Sequence, residues 1–218
     1  MAVAVSCPRC GGPVRPPDLV RSHWQCHQCG PVLPLHVAEH IGPEIVRGAA
    51  ERAAGQEFPV WCPWPLPLGW MVTGVGWVGD DRTGVVASVV ACTGPASLIS
   101  GPADILFIAE DPGVGLGVRF AGRPGTDPGP SIADLAASTT AHAKVRAAGH
   151  PAPMWALDTP EDRSAYVGEA HGRWLWTVAW PAPAGYLLAE DVTLHDLSDW
   201  VPGGLVYGAI SPYLLGKF

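Results

Sequence analysis

The sequence predicts a mainly β (α+β) protein: a small N-terminal module built on four cysteines, then an antiparallel β-rich domain, with a short helix connecting the two. Three observations carry that prediction. Cys7 and Cys10 are followed after 15 residues by Cys26 and Cys29, the pattern C-x2-C-x15-C-x2-C. The 24 prolines and 27 glycines oppose long helices, because proline breaks the helical ladder and glycine loses extra backbone entropy on folding. Past Trp70, short β-type runs recur between turn signals. With 48% hydrophobic and 15% charged residues the chain belongs among packed globular proteins, and 218 residues suffice for one buried domain plus an appendage. The expected division is 1–35 for the cysteine module, 36–58 for the helical connector and 59–218 for an acidic β-rich domain.

The cysteine spacing is that of a four-thiolate zinc site. Two residues between cysteines let one turn aim both sulfurs at one point, and each pair ends in glycine, Cys10-Gly11 and Cys29-Gly30, where the chain can turn with positive φ. Four protein ligands make such a Zn2+ structural by default, stabilising a piece too small to fold unaided. A redox dithiol needs one C-x-x-C in a βαβ setting, which this pattern lacks. Trp24, two residues before Cys26, is placed to shield the site, and His23 and His27 read as surface residues. "CPRCG" and "WQCHQCG" resemble the two knuckles of zinc-ribbon proteins; over about the first 35 residues the resemblance implies a small β ribbon with Cys7, Cys10, Cys26 and Cys29 as ligands.

Charge argues against nucleic acid. From Met1 to Leu35 the charged side chains are Arg9, Arg15, Arg21 and Asp18, a sum of +2 that a zinc tetrathiolate, at −2, cancels. The whole chain carries −7, so the remainder carries −9, unfavourable for binding phosphate. "MAVAVSCPRC" has no basic lead, and its apolar run is broken at Cys7-Pro8, so a cytoplasmic protein is expected. No apolar stretch is long enough, free of proline, to span a membrane. In a reducing compartment Cys62 and Cys92 read as inert core thiols.

Beyond the module, Pro43 and Glu44 open a helix with Ile45, Val46, Ala49 and Ala53 on one face and Gly55 as its stop. "FPVWCPWPLPLGW" reads as an extended strap packed across the body through Trp61, Trp64 and Trp70, with a partner-binding strip as the alternative. Strands are expected at "WMVTGVGWVG", "GVVASVVACT", "DILFIAE", "GLGVRFAG", "SAYVGEA", "RWLWTVAWP", "GYLLAE" and "VTLHDL". "GDDRTG" is a turn, and His171-Gly172 fits a two-residue hairpin that places Glu169 opposite Trp174, Val167 opposite Trp176 and Ala165 opposite Val178. Trp174, Trp176 and Trp180 then share one strand face, read as core, with a stacking platform for a ring-shaped ligand as the alternative.

"VWCPWPLPLGWMVTGV", "GDDRTG", "EDPGVGLGVRFAG" and "GRWLWTVAWP", together with the cysteines, resemble an actinobacterial family of uncharacterised proteins nearly end to end. That resemblance brings no activity, substrate or catalytic residue with it.

No G-x-S-x-G, phosphate-loop or H-E-x-x-H pattern occurs, and "GVGLG" runs into "VRFAG", read as a strand, so it is not a dinucleotide loop. Any acid–base chemistry would have to gather Glu110, Asp111, Glu169, His171, Glu190, Asp191, His195 or Asp196 by folding. The sequence therefore favours a zinc-binding cytosolic protein that is a non-catalytic binding or scaffold protein with a protein partner. A small-molecule enzyme sited in the β-rich domain is the alternative, and a nucleic-acid-associated ribbon the lesser one.

Overall fold

Alternating small and β-branched residues in the chain's middle third leave no polar face, so a sheet made from them has to be covered on both sides. The structure, a computed structural model, describes residues 3–96, 101–129, 131–189 and 192–216. The chain opens with β1 (Val3–Ser6), enters a lobe on three two-residue strands, β2 (Val14–Arg15), β3 (Gln25–Cys26) and β4 (Gly30–Pro31), and leaves it as β5 (Leu35–Ala38). There follow α1 (Pro43–Ala54), β6 (Trp61–Pro63), β7 (Met71–Asp80), β8 (Gly84–Pro95), β9 (Pro102–Glu110), α2 (Leu116–Phe120) and α3 (Ser131–Ser138). Then come β10 (Ala143–Ala147), β11 (His150–Leu157), β12 (Ser164–Ala170), β13 (Arg173–Trp180), a 3-10 segment (Ala182–Ala189) and β14 (Thr193–Asp196).

Among the described residues one eleven-stranded sheet has the order β1-β5-β7-β8-β9-β13-β12-β11-β10-β14-β6, and β2-β3-β4 form a separate small sheet. All pairings in the large sheet are antiparallel except β10 with β14. The lobe is thus an excursion between two strands of the large sheet, since β1 pairs with β5 and β5 with β7.

Alternation splits the central strands between two cores. Cys92, Ile105, Phe107 and Leu175 face α1 and the strap, while Val89, Leu106, Ile108, Trp176, Val178 and Trp180 face α2 and Leu214. The strap lies in the first core, with Trp61 and Trp70 buried and Trp64 packed against it. Helix α1 has the expected bounds, Pro43 to Ala54 before Gly55, and buries Ile45, Val46, Ala49 and Ala53. Asp80 shapes the β7–β8 turn, its Oδ1 accepting from the N–H groups of Arg82 and Thr83 at 3.1 and 2.8 Å.

The β12–β13 hairpin has the expected register: Glu169 opposite Trp174, Val167 opposite Trp176, Ala165 opposite Val178. His171 and Gly172 turn with φ of 55° and 73°, the pair of positive values a tight hairpin of this hand requires. Trp176 and Trp180 are 0% and 1% exposed and belong to the core, while Trp174, at the hairpin end of the same face, is only partly buried.

Two expected strands are helical. The centre of "GLGVRFAG", Leu116–Phe120, is α2, where Gly117 passes so close to the Trp176 indole that a Cβ would overlap the ring. "GYLLA" lies in the 3-10 segment, which covers β12 and β13 with Ala184 and Leu188 buried. In both runs a short apolar stretch caps the sheet instead of extending it.

Candidate metal centre and adjoining cleft

The first knuckle is a closed turn: Gly11 N–H donates to the Cys7 carbonyl at 2.9 Å, and Cys7 N–H to the Gly12 carbonyl at 2.8 Å. Gly11 and Gly30 have φ of 74° and 75°, as the Cys-Gly steps require. The result gathers Cys7, Cys10, Cys26 and Cys29 with all four Sγ atoms within 4.8 Å of one another, and the Cys10 and Cys26 sulfurs 3.5 Å apart. A tetrathiolate zinc with Zn–S bonds of about 2.3 Å has sulfurs about 3.8 Å apart, so the donor set fits a tetrahedral thiophilic ion. Cys7 and Cys26 are buried, Cys29 is partly buried, and Cys10 reaches the surface. His23 and His27 are exposed and stand outside the cluster.

The thiols' protonation makes the same point. Burial pushes Cys7 up to about 12. Burial also opposes ionisation of Cys26, but the amides of Cys29 and Gln28 and the neighbouring thiols outweigh it and bring the group down to about 7. Unaided, the cluster therefore favours a mixture of thiol and thiolate, and a divalent cation is what would let all four ionise together.

Arginines tie this lobe to the sheet. Arg119, on α2, donates from Nη1 to the Cys7 carbonyl at 3.3 Å, and Gly11 leaves room for its guanidinium, since a Cβ there would stand 2.6 Å from Nη2. Arg9, between the first two cysteines, donates from Nη2 to Gly113 O at 2.9 Å and from Nε to Val114 O at 3.3 Å. Arg82, on the β7–β8 turn, donates in the opposite direction, from Nη1 to Ser22 O at 2.9 Å. Val14 and Cys29 pack against Cys7, Cys26 and Val32, while the Trp24 ring meets His36 of β5 edge-on at 6.5 Å, and His36 stacks on Trp77 at 5.3 Å. Between lobe and sheet lies a cleft of about 660 Å³ to which Arg9, Trp24 and Pro31 contribute from one side and Arg82, Val86 and Val114 from the other.

The remaining candidates are dispersed. Glu110 is fully buried beneath α2, its Oε2 accepting from Leu116 N–H at 2.7 Å and Gly117 N–H at 3.3 Å, and burial raises it to about 7. Asp111 pairs with Arg173 at 3.1 Å. Glu169 accepts from Gly172 N–H at 2.6 Å and so serves its own hairpin turn, while His171 packs edge-on against Trp61. These two share a second cleft of about 360 Å³ with His150. His195 bonds the Trp200 carbonyl at 2.9 Å, and Asp196 clamps the N–H groups of Val60 and Ser198. Glu190 and Asp191 lie outside the described residues. Cys62 and Cys92 are both buried, with Cys92 raised well above the ordinary thiol value by the adjacent Cys62 thiol and by burial.

Sequence reasoning passed over Arg9, Arg82 and Arg119, whose one local signal was an arginine inside the first C-x-x-C. It also passed over Asp104, buried and bonded to Thr93 and Ser211 at 2.8 and 2.9 Å, its carboxyl raised by desolvation.

Fold and site together define a large antiparallel β protein carrying a four-cysteine cluster able to hold a metal ion. The chain belongs to a family of unknown function (DUF6758), whose model matches residues 1–214. No curated protein and no solved structure matches it. No helix among the described residues is long and apolar enough to cross a membrane.

Proposed function

We propose that the chain is a cytosolic, non-catalytic binding protein of actinobacterial type, whose Cys7, Cys10, Cys26 and Cys29 hold one Zn2+ in a zinc-ribbon lobe. The observation that carries this reading is the mutual approach of four thiols to within 4.8 Å. With all four positions taken by protein, the ion has none left for water or substrate, so it builds the lobe and takes no part in chemistry. The lobe so fixed displays Leu19 and Val20, 106% and 90% exposed, on a turn held by Asp18, which accepts from the N–H groups of Val20 and Arg21 at 2.8 Å each. Apolar side chains offered on a hydrogen-bonded turn suit a protein partner, and the net charge of −7 disfavours nucleic acid. An enzyme of the β-rich domain has less support, because the acids that burial raises, Glu110 and Asp104, are bonded to internal partners and lie outside both clefts.

Metal analysis of the purified full chain tests the reading. One zinc per chain is expected; a metal-free protein whose Trp24 and His36 keep their native contact would overturn it.

A further inference from the structure

The cleft between lobe and sheet is lined by side chains that no metal role requires, among them two of the arginines that tie the lobe to the sheet. Its volume of about 660 Å³ falls within the roughly 300–1,000 Å³ of small-molecule sites. Two guanidinium groups enter it from opposite walls, each already oriented by main-chain carbonyls of the other wall: Arg9 by Gly113 and Val114, Arg82 by Ser22. A guanidinium has five N–H donors. Arg9 uses Nε and Nη2 in these bonds and Arg82 uses Nη1. Among the described residues neither arginine has a carboxylate within salt-bridge distance. Two acids share the lining, but Asp111 is paired with Arg173, and Asp80 accepts from the amides of its own turn. In a protein of net charge −7, two oriented arginines without an ion-pair partner face one concavity against a single unpaired acid, Asp80, and the excess of positive charge attracts an anion. The rest of the wall is mixed: Ser22, His23 and Thr83 add polar groups, and the half-buried Trp24 stands with Pro31, Val86 and Val114 as its apolar part. An aromatic face next to fixed charge suits a ring-bearing body more than a bare ion.

We propose that this cleft binds a small organic anion, an acid group on a flat apolar ring, with Arg9 and Arg82 holding the acid and Trp24 the ring. The proposal rests on the binding-protein reading above only in that the metal-held lobe supplies one wall. Zinc content is therefore read on the same samples, so that a lost metal and a lost ligand are told apart.

The test titrates purified full-length protein with 2-naphthoate, its neutral analogue 2-naphthamide, and inorganic phosphate, following heat or tryptophan fluorescence. Naphthoate should bind at least tenfold more tightly than either of the others. Arg82→Gln, at an exposed turn position, should weaken naphthoate about tenfold with zinc content unchanged and only a small fall in melting temperature from the lost Ser22 contact, and Arg146→Gln, outside the cleft, should leave it unaltered. The acid-versus-amide comparison uses wild-type protein and holds whether or not the variants fold. Absence of naphthoate binding, equal affinity for the amide, or an unchanged affinity in folded Arg82→Gln overturns the proposal; phosphate binding as tightly as naphthoate overturns the part assigned to Trp24.

Discussion

In the cysteine lobe each strand is two residues long, and the buried apolar core is Cys7, Cys26 and Val32. In the large sheet β8 alone runs for twelve residues, and both faces are packed with Val, Ile, Leu, Phe and Trp. Both regions are ordered, yet the lobe buries far too little apolar surface to offset the conformational entropy of some thirty residues, at roughly 1 to 2 kcal/mol each. The difference teaches where each region's stability has to come from: side-chain burial in the sheet, and in the lobe four thiols around one point plus the arginine contacts that fasten it to the body. Perturbing one region should therefore leave the other largely standing.

The largest expected effect is in the lobe. Structural zinc in small modules contributes about 10–16 kcal/mol of apparent binding free energy near neutral pH, so on the proposed zinc reading the loss of one ligand would remove what holds the lobe. Cys26→Ser should lose the metal and render residues 7–32 protease-sensitive, while amide-exchange protection in β8, β9 and β13 stays at the wild-type level. If the central strands lose protection together with the lobe, the two regions are one cooperative unit and the comparison breaks.

Next comes the sheet. Trp176 is 0% exposed and lies against Gly117 of α2, so Trp176→Ala opens a cavity between β13 and the helix. It should destabilise by about 3–5 kcal/mol, a fall of about 10 °C in melting temperature for a domain of this size. Zinc should stay bound at room temperature. Calorimetry and metal analysis on one sample check both halves, and a melting temperature within a degree or two of wild type would contradict the burial.

The parts of this architecture legible in the sequence share one property: a local rule settled them. The cysteine spacing, the Pro43–Gly55 helix and the His171-Gly172 hairpin each follow from a pattern inside one continuous stretch of chain. What stayed hidden was decided by distant partners. Nothing in "GLGVRFAG" says that it must pass over the Trp176 ring, a constraint that Gly117 satisfies by having no side chain. Strand β11 escaped notice because Pro151 and Pro153 argue against a strand between two neighbours; they are tolerated because pairing with β12 begins only at Met154, leaving both prolines a partner on one side alone. The cysteines were found from spacing, whereas the arginine contacts from lobe to sheet join residues 60 to 112 positions apart and leave no local trace.

The smallest predicted effect separates the regions by pH. Desolvation raises Glu110 from 4.5 to about 7 against the pull of the Leu116 and Gly117 amides, with the Asp127 charge adding to the rise and the Trp176 indole opposing it. The native state then holds the proton more tightly than the unfolded chain does, so this group's contribution to stability is fully present below about pH 4.5 and is lost as pH rises toward about 7. At about 1.4 kcal/mol per unit the loss amounts to about 3 kcal/mol. Glu110→Gln keeps an oxygen to accept from both amides and carries no charge. It should match wild type near pH 5 and exceed it increasingly up to pH 8; Asp104, raised by burial in both proteins, drops out of the difference. The lobe should respond in the opposite sense, because zinc ligation requires deprotonated thiols and acid releases the ion. Urea melts of the two proteins at several pH values, with free zinc followed by a chromogenic chelator, read both trends at once. Parallel pH curves for wild type and Glu110→Gln would show that the buried carboxyl does not control the slope, and zinc retained under acid as firmly as at neutral pH would remove the thiols from the account of the lobe.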